Sequence, residues 1–443
     1  MVTSLGGLSS GMDTTSLINS LMQVESRPQT NMKTKVSTYT TANTAYQTVN
    51  TKMKALLDAA KDIAKPDSWK AAKTTSSSTD VVATASTGAQ VGDMTFSVTK
   101  LASAHRVTSA FAGAETAATS DGTFNLKIGT GADETTTTLT VEENTPQGVA
   151  AAINKAGLSV RASVVNTDSG PVLQLSSTKT GAANTFEVSG LTSDPKVMAA
   201  GSNAELTVGD PDAGGFKVSS TSNTFTGVMP GVTITANKLA TDVTIGVNQD
   251  TDALATKMQA LVDAANGALA QISLASASGG SSTSGAKSSG GPLAGDYAVR
   301  QLSSQVLSTV SQGLSGFGSF KQLGIQLTQS GKLEFKKDDF LKAYNEDPAK
   351  VQNAVTTGLA SGLQKVGTAA TDTVSGSLTQ KIQGGTTAIS RLTKEIANWD
   401  TKLVDRRAAL QRQFAAMETA LGKISSQSNW LSGQMSAASS SNN

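Results

Sequence analysis

Residue types that commonly carry catalysis are scarce in this sequence. The 443-residue chain holds one histidine, His105, and no cysteine. A histidine that acts as a general base needs a nucleophile and an orienting group, and no such partner can be assigned to His105, which lies in a segment predicted as a strand followed by a loop. The absence of cysteine excludes disulfides, thiolate metal ligands and cysteine nucleophiles. The sequence therefore predicts no catalytic centre built on histidine or cysteine.

Paired carboxylates and paired glycines are the remaining candidates for a chemical site. Glu142–Glu143 and Asp338–Asp339 lack the ligand spacing of a calcium-binding EF-hand loop. Gly279–Gly280 and Gly290–Gly291 lie in a serine-rich segment, whereas a phosphate-binding loop joins a strand to a helix. We therefore predict that the protein binds no metal ion and no cofactor, and that it is not an enzyme.

Charge and hydropathy exclude two further classes of protein. The formal net charge is only +2, which does not favour a dedicated nucleic-acid binder. No run of 18 apolar residues occurs, so no membrane insertion is expected. Residues 1–25 lack the basic region, the apolar core and the cleavage site of a secretory signal peptide. A chain of this length is expected to form two to four domains.

Both ends of the chain carry heptad patterns. From Tyr39 to Ile63, apolar side chains recur at alternating spacings of three and four residues, which is the pattern of a coiled-coil seam. A shorter stripe precedes it and is predicted to be interrupted at Pro28. The second pattern covers residues 378–435, which would span about 87 Å as one helix. A helical hairpin inside an ordinary domain is the alternative interpretation of these patterns.

The middle of the chain follows a period of two, which indicates strands. The predicted strands are Thr95–Leu101, Thr123–Ile128, Thr137–Val141, Val160–Val165, Val172–Ser176, Phe186–Val188, Glu205–Val208, Gly231–Ala236 and Asp242–Val247. A short helix is predicted at Pro146–Lys155. Helical spacing returns at residues 251–274 and 293–314, and residues 323–340 predict a hairpin that turns at Ser330–Gly331.

These patterns predict an α+β multidomain protein with a nested arrangement. We expect long coiled-coil-like terminal helices, a helical bundle domain and two antiparallel β-rich head domains, one inserted in the other. The predicted boundaries are residues 1–50 with 400–443 for the terminal helices, 51–75 with 251–399 for the helical domain, 76–115 with 200–250 for one β domain, and 116–199 for the inserted β domain. A flexible Gly/Ser linker is predicted at residues 275–291.

Six segments in a fixed order resemble the flagellar filament cap family, FliD, also called flagellar hook-associated protein 2. They are residues 6–25 (GGLSSGMDTTSLINSLMQVE), 96–113 (FSVTKLASAHRVTSAFAG), 145–181 (beginning TPQGVAAAINK), 291–302 (GPLAGDYAVRQL), 323–343 (LGIQLTQSGKLEFKKDDFLKA) and 411–435 (QRQFAAMETALGKISSQSNWLSGQM). The resemblance covers essentially the whole chain. It implies a protein that forms a ring at the filament tip and promotes the folding and insertion of exported flagellin.

The resemblance also implies partners and a location. We expect a homo-oligomeric ring, with a pentamer favoured, that contacts flagellin, the hook–filament junction proteins, an export chaperone at the C-terminal end, and host mucin or glycans. The protein is expected to be secreted by the flagellar type III route without a cleaved signal peptide and to lie at the distal tip of the flagellum. Another flagellar axial or junction protein, a filament-tip adhesin and a hydrolase are the alternatives.

The heptad seam is the predicted contact surface toward neighbouring subunits and the filament. Its residues are Leu17, Leu21, Val24, Tyr39, Tyr46, Val49, Met53, Leu56, Ile63, Leu392, Ile396, Trp399, Leu403, Leu410, Phe414, Met417, Leu421, Ile424 and Leu431.

Overall fold

Helices occupy both ends of the chain and strands occupy its middle. The computed structural model describes residues 13–131, 134–279 and 290–440. The chain divides into two compact units, of which Lys65–Leu254 is one and the two flanking parts together are the other. The predicted α+β multidomain class is confirmed. The finer division into four domains stays a prediction.

The helices differ widely in length. They are α1 Thr14–Glu25, α2 Arg27–Ala64, α3 Pro146–Lys155, α4 Thr251–Ser276, α5 Tyr297–Ser311, α6 Lys337–Glu346, α7 Pro348–Asn353, α8 Ser361–Thr371 and α9 Ser377–Ser440. The 64-residue α9 covers the whole C-terminal heptad pattern in one helix, as predicted. A π-helical segment, Ala354–Ala360, joins α7 to α8.

All the described strands pair in the antiparallel direction. They are β1 Ala72–Ser76, β2 Val81–Ala85, β3 Gly92–Lys100, β4 Ala104–Ala110, β5 Thr123–Ile128, β6 Thr135–Thr140, β7 Val160–Thr167, β8 Gly170–Thr180, β9 Phe186–Ser189, β10 Lys196–Ala199, β11 Ala204–Val208, β12 Phe216–Ser220, β13 Thr224–Thr226, β14 Val232–Ala236, β15 Ala240–Gln249, β16 Ile325–Leu327 and β17 Leu333–Phe335.

The N-terminal helical pattern is interrupted next to Pro28, close to the predicted position. α1 ends at Glu25, and α2 begins at Arg27, so Pro28 occupies the first turn of α2, where its missing N–H costs no hydrogen bond. The threonines of α2 are poor helix formers because they are β-branched. Eight of their hydroxyls donate to the carbonyl four residues earlier: Thr30, Thr34, Thr38, Thr40, Thr41, Thr44, Thr48 and Thr51.

Tertiary packing holds this threonine-rich helix in place. The C-terminal half of α2 buries one apolar face completely, and it contacts α8 and α9. Gly367 on α8 allows the close approach, because a Cβ atom there would lie 2.8 Å from Cβ of Leu57. A helix of low propensity gains most of its stability from such packing. The order of α2 therefore depends on segments more than 300 residues away in sequence.

The predicted hairpin at residues 323–340 is confirmed. β16 pairs with β17, and the backbone N–H of Gly331 donates to the carbonyl of Thr328 at 3.0 Å in the turn. Asn266 on α4 fixes the hairpin with two hydrogen bonds of 2.8 Å, one to the carbonyl and one from the N–H of Leu333. The side-chain amide of Asn266 thus satisfies both backbone groups of Leu333.

Lys65–Leu254 contains two separate hydrophobic cores. The first lies between the five-stranded sheet β1-β15-β3-β11-β12 and the three-stranded sheet β13-β14-β2, and it includes Phe96, Leu206 and Phe225. The second lies between the sheets β10-β4-β8-β7 and β6-β5-β9 and is completed by α3. Val149 and Ile153 of α3 are fully buried in that second core. The two cores agree with the expectation of two β-rich parts.

Sequence patterning missed six strands, namely β1, β2, β4, β10, β12 and β13. Several are short edge strands rich in serine, threonine or alanine, which lack a clear apolar alternation. The segment around His105, predicted as the end of a strand and a loop, is the regular strand β4. Its pairing with both β8 and β10 decides its conformation.

The predicted linker at residues 275–291 is shorter at its N-terminal end than expected. Ala275 and Ser276 belong to the last turn of α4. The backbone N–H groups of Gly291 and Leu293 donate to the carbonyls of Ala277 and Ala275, both at 2.8 Å. Residues 280–289 of this linker, and residues 6–12 of the N-terminal motif, lie outside the described residues.

We predict that Asn266→Ala destabilises the helical unit by roughly 1–3 kcal/mol, because it removes both partners of Leu333. Chemical denaturation followed by helical circular dichroism measures this change. Gln259→Ala is the matched control, since Gln259 donates only to Asp263 at the exposed surface of the same helix. Equal stability of the Asn266 and Gln259 variants would contradict the assigned role.

Candidate functional site

The paired terminal helices combine an apolar half and a polar half. Near the C-terminal end of α2, the side chains of Val49, Met53, Leu56 and Ile63 are fully buried. Toward the N-terminus, polar contacts replace this core. Gln29 Nε2 donates to Asp400 Oδ1 at 2.5 Å. The contact surface between the helices thus changes from apolar to polar along their length.

Further polar contacts fix the helices in an antiparallel register. Arg406 Nε lies 3.2 Å from Glu25 Oε1, and Arg407 donates to Asn19 Oδ1. Since the residue numbers fall on α1 as they rise on α9, the two helices run in opposite directions. Single exposed pairs of this kind contribute little stability. They specify which residues face each other more than they hold the helices together.

Asn43 occupies the point where the polar and apolar halves meet. Its side chain is buried, and its Nδ2 donates to Thr386 Oγ1 at 3.2 Å. Within the part of the chain that the structure describes, its Oδ1 has no hydrogen-bond partner. A Cβ atom on Gly385 would lie 2.7 Å from that oxygen, so any larger residue there would require the Asn43 side chain to move. The glycine at position 385 therefore leaves room for the present position of the Asn43 side chain.

Several predicted seam residues of the N-terminal segment are exposed rather than buried. Leu17, Leu21, Val24 and Tyr39 have exposed side chains, with 40–56% of their surface accessible. Ile18 is the buried apolar residue of α1. The stripe that patterning selected is therefore the outer face of the helix. Sequence periodicity located the apolar stripe but could not show which side α9 covers.

The C-terminal seam becomes more exposed toward the end of the chain. Leu392 and Leu410 are buried. Half-buried side chains belong to Tyr46 on α2 and to Ile396, Trp399, Leu403, Phe414, Met417 and Leu421 on α9. Ile424, Trp430, Leu431 and Met435 are 55–68% exposed. This exposed stripe at the end of α9, together with that on α1, is the candidate interaction surface. Its contact with other subunits or with a filament stays a prediction.

A polar cluster ties α2 to α5 and α9. The Tyr46 hydroxyl donates to Asp296 Oδ2, and Lys381 Nζ donates to the same oxygen at 3.1 Å. Lys381 Nζ also lies 5.9 Å from the centre of the Tyr46 ring. Asp296 caps α5 by accepting from the backbone N–H groups of Ala298 and Val299. Sequence analysis missed this cluster, because nothing in the local pattern around Asp296 indicates its distant partners.

The electrostatics of the cluster follow from these contacts. Burial, the hydrogen bond to Asp296 and the charge of that carboxylate all raise the pKa of Tyr46 well above its ordinary value. Burial by itself would raise the pKa of Asp296, but hydrogen bonds from Tyr46 and Lys381 more than offset it, so its pKa is lowered. Asp296 is therefore ionised at neutral pH.

The paired carboxylates that the sequence offered as candidates for chemistry are exposed. Asp338 and Asp339 occupy the first turn of α6, where carboxylates interact favourably with the helix dipole. Glu142 pairs with Lys155 at 2.6 Å on the surface. In residues 13–131, 134–279 and 290–440, no three histidine, aspartate or glutamate side chains are grouped as metal ligands would be. Gly280 lies outside the described residues.

No helix in the described part of the chain is both long and apolar enough to cross a membrane.

Comparison with known proteins connects this arrangement to one family. The family model of the flagellar hook-associated protein 2 C-terminus matches residues 201–426, and that of the N-terminus matches residues 10–105. Most of the second β core, from Val107 to Val188, lies between the two matched segments. The matched segments contain α1, α2, α9 as far as residue 426, the polar cluster and the first β core.

Individual relatives match over nearly the full length. The chain is 27% identical to flagellar hook-associated protein 2 of Escherichia coli strain K12 over 98% of both chains. It is 28% identical to the B-type flagellar hook-associated protein 2 of Pseudomonas aeruginosa over 97% of this chain and 94% of that one.

One solved structure with a similar fold covers most of the chain. It is the crystal structure of the D1-D2-D3 domains of the flagellar cap protein FliD from Escherichia coli, with a TM-score of 0.59 and 26% sequence identity. The match covers 77% of this chain and 99% of that chain.

We predict that Asp296→Ala destabilises the helical unit by about 2–4 kcal/mol at neutral pH, because it removes a helix cap and two charge-assisted contacts. Tyr46→Phe removes one of those contacts and is expected to cost roughly 1 kcal/mol. Because the pKa of Asp296 is lowered by folding, its contribution is present above the unfolded pKa and is lost as pH falls through the folded pKa. Denaturation at neutral and at acidic pH measures both effects. A cost of Asp296→Ala that persisted in acid would contradict this account.

Proposed function

The chain belongs to the flagellar hook-associated protein 2 family, and we propose that it caps the growing flagellar filament at its tip. The family match, which includes α1, α2, most of α9 and the first β core, carries this proposal. We propose that the protein works by binding and geometry. It retains exported flagellin at the filament end until the flagellin folds and inserts.

The exposed stripes of the terminal helices are the proposed contact surface. Leu17, Leu21 and Val24 on α1, with Ile424 and Leu431 on α9, present apolar side chains to solvent although they lie on ordered helices. Burying one such side chain stabilises an interface by about 1.5–3 kcal/mol. We propose that neighbouring copies and filament subunits cover these stripes in the assembled cap.

The polar contacts between the helices suit this role. Glu25 and Asn19 of α1 make polar contacts with α9, while the apolar side chains of Leu17, Leu21 and Val24 remain exposed. If these apolar side chains faced α9 instead, they would be buried and unavailable to a partner. These polar contacts therefore leave the proposed interface exposed, where a partner can bind it.

We propose that the protein forms a ring of identical copies, with five as the favoured number, and that it contacts flagellin and the hook–filament junction proteins. The end of α9 is the proposed site for an export chaperone, since its apolar residues need protection before assembly. Host mucin or glycans are proposed as further ligands of the exposed protein.

We propose that the protein is exported without a cleaved signal peptide by the flagellar type III route and is located at the distal tip of the filament. Its action is proposed to be non-catalytic. Glu142, one of the carboxylates considered for chemistry, pairs with Lys155 at the surface.

The capping proposal predicts a specific defect when the protein is removed. We expect short or absent filaments and abundant monomeric flagellin in the culture fluid, because export continues without retention at the tip. Purified protein added from outside should restore growth, since binding alone suffices. Electron microscopy of filament length, together with flagellin in the medium, measures this. Full-length filaments in the absence of the protein would overturn the proposal, and normal filaments with weaker attachment would indicate an adhesin.

The proposed interface predicts a separate effect of Leu431→Asp. This exposed change should leave the folded monomer intact but lower affinity for the assembly by about tenfold or more, because the apolar contact is lost. Ser432→Asp is the matched control, since it adds the same charge beside Leu431 at another exposed position. Swimming motility and binding to filament ends are measured for both variants. Equal motility would place Leu431 outside the interface.

A further inference from the structure

The junction between the two β cores is built from small residues. Ser103 and Ser202 pair across it, with backbone hydrogen bonds of 3.0 and 3.2 Å and hydroxyl oxygens 2.9 Å apart. Gly201 lies so close to Gly181 that a Cβ on Gly201 would be 2.9 Å from the Gly181 carbonyl oxygen. Such residues bury little apolar surface. The relative position of the two cores therefore depends on hydrogen bonds, which include one of 2.7 Å from Thr180 Oγ1 on β8 to the carbonyl of Thr221.

The single histidine of the chain lies at this junction. His105 follows Ser103 by two residues and is only 6% exposed. Its ring meets the ring of Phe186 edge to face, with centroids 4.9 Å apart and planes at 86°. Phe186 belongs to the second core. One face of the imidazole is thus anchored in that core.

The imidazole also contacts the segment that connects β10 to β11. The backbone N–H of Gly201, which lies between β10 and β11, donates to Nδ1 of His105 at 3.3 Å. Nδ1 must therefore be unprotonated, and the ring carries its proton on Nε2. A backbone hydrogen bond with Phe186 engages the ring as well. The neutral imidazole bridges the second core and the segment that leads into the first.

We propose that His105 is an acid-sensitive latch between the two β cores. Protonation places a proton on Nδ1, where it points at the N–H of Gly201. Two donors then face each other, so the hydrogen bond is lost. Gly201 separates from the ring, and the two cores gain freedom to change their relative orientation. The established cap function requires no such step.

The groups around the imidazole ring determine the pKa of His105. Glu187 on β9 is the charged side chain that acts on the ring, and it favours protonation. β8 contributes Ser177, whose Oγ accepts from the backbone N–H of His105, and Gly201 brings no titratable group. Arg106 on the same strand is exposed on the opposite face. Burial is the largest influence, and it lowers the pKa of His105 despite the Phe186 hydrogen bond and Glu187.

The lowered pKa of His105 determines the sign of the pH dependence. The folded-state pKa lies below the unfolded value of about 6.5. The stabilising contribution of neutral His105 is therefore present above the unfolded pKa and is lost as pH falls through the folded pKa. The latch is closed at neutral pH and opens in mild acid. Because the chain has one histidine, no other imidazole can produce this transition.

The chain has no cysteine, so a pair of spin labels can be introduced cleanly. We choose Thr84→Cys in the first core and Asp168→Cys in the second, both exposed positions. Electron–electron distance measurements on the full chain should give a narrower distribution at neutral pH and a broader or shifted one in acid. The transition midpoint should lie below about pH 6.5. In the same pair with His105→Gln, the distribution should not change over this range.

A second variant, at Glu187, allows the proposal to be tested even if His105→Gln does not fold correctly. Glu187→Gln removes the charge that favours protonation of His105 and should move the midpoint to lower pH. Glu134→Gln is the control, because Glu134 and Glu187 both pair with Lys127. This control should leave the midpoint unchanged. Histidine-selective NMR reports the tautomer through a single set of imidazole signals. A proton on Nδ1 at neutral pH, an unchanged distance distribution while the imidazole titrates, or the same transition in His105→Gln would each overturn the proposal.

Discussion

The C-terminal half of α2 buries one whole face, and the segments that cover it include helices from the other end of the chain. Val49 and Met53 are fully buried, and nearby Asn43 contacts Thr386, 343 positions later in sequence. α2 is rich in threonine and would be a marginal helix alone. The helical unit can therefore complete its packing only when both ends of the chain are present, and Lys65–Leu254 is accommodated as an insertion with its own cores.

This long-range packing also decides which surface is available for assembly. The distal contacts of α9 with α1 and α2 are made by Asn19, Glu25 and Gln29, so the inner surface is polar. The apolar side chains of Leu17, Leu21 and Val24 are left on the outer face. Hydrogen-bonded pairs specify alignment while contributing little net stability. Alignment within the chain and the proposed binding to partners thus involve different side chains of the same helix.

The β part is organised differently, because its two cores depend on local antiparallel pairing. Phe96 and Phe225 lie in one core, and Phe124 and Phe186 in the other. Only short serine- and glycine-containing segments connect them, and His105 is the buried titratable residue there. The family match contains the first core but leaves most of the second outside. The match of the second core to this family is therefore carried by the full-length relatives.

The sequence alone was sufficient to predict the α+β class, the single long C-terminal helix, α3 with its bounds, and the hairpin turn at Gly331. These features depend on local periodicity and turn chemistry, which neighbouring residues determine. The tertiary structure decided which side of α1 faces α9, which short edge strands form, and that Asp296 joins Tyr46 to Lys381. Each of these depends on contacts between residues far apart in sequence. A heptad pattern locates an apolar stripe, but only the packed partner determines whether that stripe is buried or exposed.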